Sequence, residues 1–146
     1  MKKALVPLFI LSLALNANAA EYTKDNTKLC IQREIVRICD LNKNPITGTL
    51  KYYYKNGKLQ SEGNFKDGKL EGLFKVYYEN GNLAAEANFK DGKFEGLAKV
   101  YYENGNLKSE IFFKEGNPIS GYQYDIHGKK TKMTNAHLHN VVKYLK

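Results

Sequence analysis

Apolar and polar positions alternate with a period of two through most of the segment from Gly48 to Phe113, the pattern of strands with one face buried. Each alternating stretch is about eight residues long and is bounded by Asn-Gly or Asp-Gly. Leu50, Phe65, Phe74, Val76, Phe89, Ile111 and Phe113 fall on one side, with Ser61, Gly63, Ala87 and Ala98 as small spacers between them. The lysines, Glu62, Glu86, Glu110, Asn64 and Asn88 fall on the other. The pattern predicts one antiparallel sheet with a dry face and a wet face, and a slip of one residue would scramble both. Near the C-terminus the period changes. Leu138, Val141, Val142 and Leu145 recur at helical spacing over Asn135–Lys146, with Thr134 as N-cap, and their apolar stripe is placed to cover part of the dry face.

The strands repeat. "KVYYENGNL" stands at Lys75–Leu83 and again at Lys99–Leu107, with "KYYYKNGKL" at Lys51–Leu59, each 24 residues after the last. One turn motif per period is Asn-Gly (Asn56-Gly57, Asn80-Gly81, Asn104-Gly105). The other is Asp-Gly (Asp67-Gly68, Asp91-Gly92), softened to Glu115-Gly116. Both motifs suit a two-residue type I′ turn, whose central residues need positive φ. A two-residue turn sets Lys51 opposite Glu62, Lys75 opposite Glu86 and Lys99 opposite Glu110, opposite charges facing each other across the strands. It also pairs Phe65 with Leu70 and Phe89 with Phe94. The fold class is therefore all-β: an antiparallel meander of tandem 24-residue β-hairpins with a short C-terminal α-helix. Asn44-Pro45 and Asn117-Pro118 mark degenerate end units, and Tyr124-Asp125-Ile126-His127-Gly128 closes the last hairpin out of period.

The run Gly63-Asn64-Phe65-Lys66-Asp67-Gly68-Lys69-Leu70-Glu71-Gly72, continued by Tyr77-Tyr78-Glu79-Asn80-Gly81, resembles the bacterial variant of the MORN repeat. With the closing Tyr124-Asp125, the whole composite resembles the YwqK-type antitoxin family over about residues 44 to 129. MORN repeats imply hairpin arrays that act as scaffolds, bind other proteins or lie against lipid. The antitoxin resemblance implies binding and neutralising a toxin domain.

Composition adds the compartment. Lys2 and Lys3 precede the apolar run Ala4–Leu15, and Ala17-Asn18-Ala19 follows, the three-part form of a secretory signal peptide over residues 1–19. The run is too short to span a bilayer. Export to the periplasm or beyond sits awkwardly with neutralising a cytoplasmic toxin and suits an immunity protein acting outside the inner membrane. Net charge falls from +8 to +6 without Lys2 and Lys3, and the remaining lysines are dispersed, which argues against nucleic acid as partner. Cys30 and Cys39 are the only cysteines, and in an oxidising compartment they are expected to form a disulfide within the N-terminal segment, residues 20–43. Repeats over 44–128 and a C-terminal amphipathic helical segment over 129–146 complete the expected organisation.

No catalytic constellation stands out. Asp67, Asp91 and Glu115 are turn residues, and Glu71 and Glu95 recur beside lysines, whereas catalytic groups are singular. His137 and His139 point to different sides of a helix and His127 stands apart, so no metal and no cofactor is expected. A binding surface remains. Tyr53, Tyr77 and Tyr101 repeat on the wet face with Leu73 and Leu97. Aromatic and apolar residues among charges are the composition of an interface, and cross-strand aromatics that stiffen the ribbon are the equal alternative. The expected activity is thus non-enzymatic: a protein-binding or scaffold module of the bacterial cell envelope, whose partner is a toxin or another envelope component. The alternative is a peripheral array on an anionic membrane surface. If the helix and the N-terminal segment do not cover the dry face, a homodimer through it is expected.

Overall fold

The computed structural model describes residues 27–32, 35–40 and 42–145, and the expected signal segment 1–19 lies outside them. Strands β1 (Thr27–Gln32) and β2 (Ile35–Asp40) form an antiparallel pair. An eight-stranded antiparallel sheet follows: β3 (Gly48–Tyr53), β4 (Leu59–Lys66), β5 (Lys69–Tyr77), β6 (Leu83–Lys90), β7 (Lys93–Tyr101), β8 (Leu107–Lys114), β9 (Asn117–Tyr124) and β10 (Lys130–Lys132). These strands are neighbours in the order they occur, so the sheet is an open meander. Helix α1 (Asn135–Leu145) ends the chain of elements. Among the described residues the architecture is the all-β hairpin array with one short helix that the sequence predicts. Beyond the expected elements it adds β1 and β2 within the N-terminal segment and β10 ahead of the helix.

The two turn motifs differ. At Asp67-Gly68 both residues have positive φ, 51° and 74°, and Lys66 faces Lys69, a two-residue type I′ turn as expected. Asp91-Gly92 and Glu115-Gly116 repeat it. At the Asn-Gly motifs the expectation is corrected: Gly57 lies at φ 81°, but Asn56, Asn80 and Asn104 do not have positive φ. There the Gly57 N–H donates to Tyr54 O at 2.9 Å and the Tyr54 N–H to Lys58 O at 2.8 Å, a three-residue loop. Asn56 Oδ1 accepts the Lys58 N–H at 3.0 Å, a local bond that holds the asparagine in the right-handed turn. A bulge between Tyr52 and Tyr53 absorbs the extra residue. The predicted pairs Lys51↔Glu62, Lys75↔Glu86, Lys99↔Glu110, Phe65↔Leu70 and Phe89↔Phe94 all hold.

Each repeat is fastened to the next. Gly68, Gly92 and Gly116 donate their turn N–H to Ile46, Leu70 and Phe94 O at 2.8, 2.9 and 2.9 Å. The preceding turn N–H groups of Asp67, Asp91 and Glu115 go to Thr47 Oγ1, Glu71 Oε2 and Glu95 Oε2 at 3.1, 2.9 and 2.8 Å. At the far ends, the hydroxyls of Tyr54, Tyr78 and Tyr102 donate to the carbonyls of Tyr77, Tyr101 and Tyr124 at 2.6, 2.7 and 2.9 Å. The Tyr77 carbonyl lies just past Ser61↔Val76, the last β4–β5 pair, so the hydroxyl replaces a missing ladder partner.

The centre of the dry face is buried, and its margins, among them Tyr52, Leu59 and Leu107, are half-buried. Phe74, Phe89, Phe94 and Phe113 form a column with successive ring centroids 6.2, 4.4 and 4.8 Å apart. Val76, Ala85, Ala87, Ala98 and Ile111 pack beside it, and Met133 and Leu138 close the C-terminal end. Thr134 caps α1 by accepting the His137 N–H at 3.3 Å, as predicted. The side chains of Val141, Val142 and Leu145 lie outside the described residues. Cys39 is fully buried. The β1–β2 register pairs Cys30 with Arg37 and Lys28 with Cys39, so the two cysteines are diagonal neighbours on one face. The Cys30 side chain, and with it the expected disulfide, lies outside the described residues.

Candidate functional site

The wet face is built in three rows that cross the strands. The central row alternates charge: Lys51, Glu62, Lys75, Glu86, Lys99 and Glu110 on β3 to β8, each facing its neighbours directly. Lys51 Nζ lies 3.7 Å from Glu62 and Lys99 Nζ 3.8 Å from Glu86. On β9 the bulge takes up one residue fewer than on β5 and β7, so Tyr122 instead of a lysine faces Glu110. The missing cation arrives from β10: Lys130 Nζ is 3.1 Å from Glu110 and sits over the Tyr122 ring at 3.9 Å.

The second row is tyrosine. Hydroxyls of Tyr77, Tyr101 and Tyr124 donate to Glu62, Glu86 and Glu110 at 2.9, 2.8 and 2.6 Å. Burial, and then the hydrogen bond to the carboxylate, push the Tyr77 and Tyr101 phenols up to about 12. The Tyr124 hydroxyl and then the Lys130 ammonium hold the Glu110 carboxyl below its ordinary range. Lys130 in turn is raised to about 12 by Tyr124 and Glu110.

The third row is the apolar one: Leu73 faces Asn88 and Leu97 faces Phe112. All three are largely exposed, Leu73 at 40%, Leu97 at 39% and Phe112 at 47%.

The five residues predicted as a site therefore share one face but divide by role. Tyr77 and Tyr101 are half-buried and spend their hydroxyls on the sheet itself. Tyr53 is 57% exposed, and with Leu73 and Leu97 it presents surface to solvent. Sequence reasoning missed Phe112. Its signal was a break in period, because the equivalent positions carry Asn64 and Asn88. It also missed Glu71 and Glu95 as fasteners between repeats, since a side chain reaching the next turn leaves no mark in strand alternation. Among the described residues no three His, Cys, Asp or Glu side chains gather as a metal would require. His137 instead sets its ring nitrogen 3.2 Å from the Thr134 hydroxyl at the helix cap.

A family model described as MORN repeat variant matches residues 46–67, 70–91 and 94–115. Three tandem stretches thus match the repeat variant, and each match spans one strand, one Asn-Gly loop and the strand after it. No curated protein matches the chain. Among solved structures it is similar to a crystal structure of TarM, at 13% identity and TM-score 0.36 over 87% of this chain and 24% of that one. A mutant of S. aureus TarM in complex with Fondaparinux, alpha-GlcNAc-glycerol and UDP gives 12% identity and TM-score 0.36 over 90% of this chain and 28% of that one. A structure of accessory secretory protein 1, 2 and 3 in Streptococcus pneumoniae gives 13% and 0.23 over 76% and 18%. This chain spans about a quarter of the TarM chains, and likeness at these scores carries no argument about what it does.

Proposed function

We propose that this MORN-repeat chain is an exported, non-enzymatic binding module of the bacterial cell envelope that engages a protein partner through the wet face. Tandem MORN repeats suit a binding or scaffold role. The observation that carries the reading is the exposed apolar row of Leu73, Leu97 and Phe112 on a face otherwise given to charge. Phe112 stands where the earlier repeats carry Asn64 and Asn88, so the sheet forms without an apolar side chain there, whereas an interface would bury it. Tyr53 extends the surface at the free edge.

A lipid-facing array is the weaker reading. The lysines of the central row are balanced one for one by Glu62, Glu86 and Glu110, with Lys51 and Lys99 at 3.7 and 3.8 Å from a carboxylate. The excess positive charge is thus dispersed outside that row and forms no cationic stripe for an anionic leaflet. An immunity role against a toxin is the sharper form of the proposal and fits export better than a cytoplasmic antitoxin does. Export also implies that residues 1–19 are removed and that Cys30 and Cys39 are oxidised to a disulfide.

The test is a pull-down from the native envelope fraction with C-terminally tagged protein, expressed in full, beside a Leu97→Ser, Phe112→Asn variant. One stoichiometric protein, retained in high salt and lost with the variant, is the expected result. Its toxicity when expressed alone would favour immunity. Phospholipid alone, released by salt, would sink the protein-binding reading. An intact mass showing residues 1–19 still attached would sink the export.

A further inference from the structure

We propose that the outer edge of β3 is a docking site for an extended strand of another protein, one that places a carboxylate opposite Lys51. This deepens the binding reading above and rests on it only for the class of partner. Strand β3 ends the eight-stranded sheet, and among the described residues no strand pairs with its outer side. The repeat itself says what is missing. Strands β4 and β6 flank β5 and β7, and β2 stands 24 residues earlier in the same phase. Yet β2 turns aside: it meets the segment before β3 in a single bridge, Cys39↔Pro45, sends the Ile38 N–H to Gly68 O at 3.0 Å and pairs with β1 instead.

The space beside β3 is a cleft of 430 Å³ lined by Ile46 to Lys51 and by Tyr53. The Tyr54 N–H turns inward to Lys58, so by antiparallel alternation the backbone groups of Thr49, Lys51 and Tyr53 face outward into it. An added strand would satisfy those groups, the physics of strand addition at a free edge.

Charge selects the occupant. Lys75 lies between Glu62 and Glu86, and Lys99 between Glu86 and Glu110. Among the described residues Lys51 faces an acid, Glu62, on one side only, and the residue in phase on the other side is Ile38. The sheet's own strands show the complement: an acid flanked by small residues, as in Ala85-Glu86-Ala87 and Ser61-Glu62-Gly63. A second copy does not supply it. The free edges of its eight-stranded sheet are β3, with Thr49, Lys51 and Tyr53 on the polar face, and β10, Lys130-Thr131-Lys132, and neither carries an acid. In the β1–β2 pair the acid is Asp40, whose carboxylate is held by Asn44.

The probe is a synthetic peptide with the β6 sequence Leu83–Lys90, and a second in which the residue at Glu86 is replaced by Lys. With the isotope-labelled chain, the first is expected to shift the amide signals of Gly48–Tyr53 and to bind about fivefold more tightly than the second, the size of a cross-strand charge pair. Lys51→Glu should reverse that preference while keeping a native spectrum, and Lys51→Gln should abolish it. The Leu97→Ser, Phe112→Asn variant should bind the peptide unchanged, so that loss of the wet-face partner and loss of edge binding are read separately. Absence of β3 shifts, or equal affinity for both peptides, overturns the proposal. So does exchange protection of the Thr49, Lys51 and Tyr53 amides in dilute free protein, which would mean that the chain fills its own edge. Protection that appears only with rising protein concentration would assign the edge to a second copy.

Discussion

Gly63, Ala87 and Ile111 occupy the same position in successive repeats, and so do Phe74 and Ala98. A Cβ at Gly63 would collide with the Phe74 ring and come within 3.2 Å of Leu70. The glycine is there because its neighbour is large, and the alanine at 98 because its neighbour Ile111 is large. Gly63→Ala is therefore expected to cost about 1–3 kcal/mol by overpacking, and Phe74→Ala about 3–5 kcal/mol by leaving a cavity. Combining Gly63→Ala with Phe74→Ala reproduces the Ala87–Ala98 pair, which holds the same place one repeat later, and should remove the overpacking cost. Urea melts of the three variants read this directly, and a double variant as unstable as the sum of the singles would refute the compensation. The sequence showed these residues on the dry face as spacers. Which large side chain each spacer admits depends on the strand next to it, which alternation alone does not report.

Between hairpins the main ties are polar. Register was legible from the facing Lys and Glu residues, and the Asp-Gly turns from their two positive-φ positions. The Asn-Gly loops were misread because Asn56 bonds its own backbone two residues on, an option that a motif shared with type I′ turns conceals. The tyrosine row was legible as a repeat, either surface or stiffening, but its hydrogen bonds were not, since the target carboxylates lie 14 or 15 residues back on the preceding hairpin. A pH dependence follows. The Tyr77 and Tyr101 phenols titrate near 12 when folded and near 10.0 otherwise. A raised acid favours the fold while protonated, so this contribution is intact below pH 10 and disappears as pH climbs toward 12. Urea midpoints of the native chain should fall over that window, and those of a Tyr77→Phe, Tyr101→Phe variant should fall less steeply. Equal slopes would show that the hydroxyl–carboxylate bonds do not link folding to alkaline titration.

Taken as a whole, the sheet is a row of units with one rule for joining them. Every fastener recurs at the spacing of the repeats, so duplicating residues 70–93 should insert a complete unit without altering its neighbours. The denaturant slope of the longer chain is expected to rise by roughly a fifth, in proportion to the surface it buries. An insert one residue short should lose cooperativity, because it turns the following strands face for face. The C-terminal end carries its own stop. Ile119 stands where Thr47, Glu71 and Glu95 accept the next turn, and it offers no acceptor. The hydrogen bonds from side chains that tie one repeat to the next span only 14 to 23 residues of sequence. A sheet of eight strands is ordinarily slow to assemble, since distant segments must find each other. Here a chain lengthening from its N-terminus needs, for each new hairpin, only the one made just before it. The order of synthesis is also the order of assembly, and no completed hairpin has to wait for the far end of the chain.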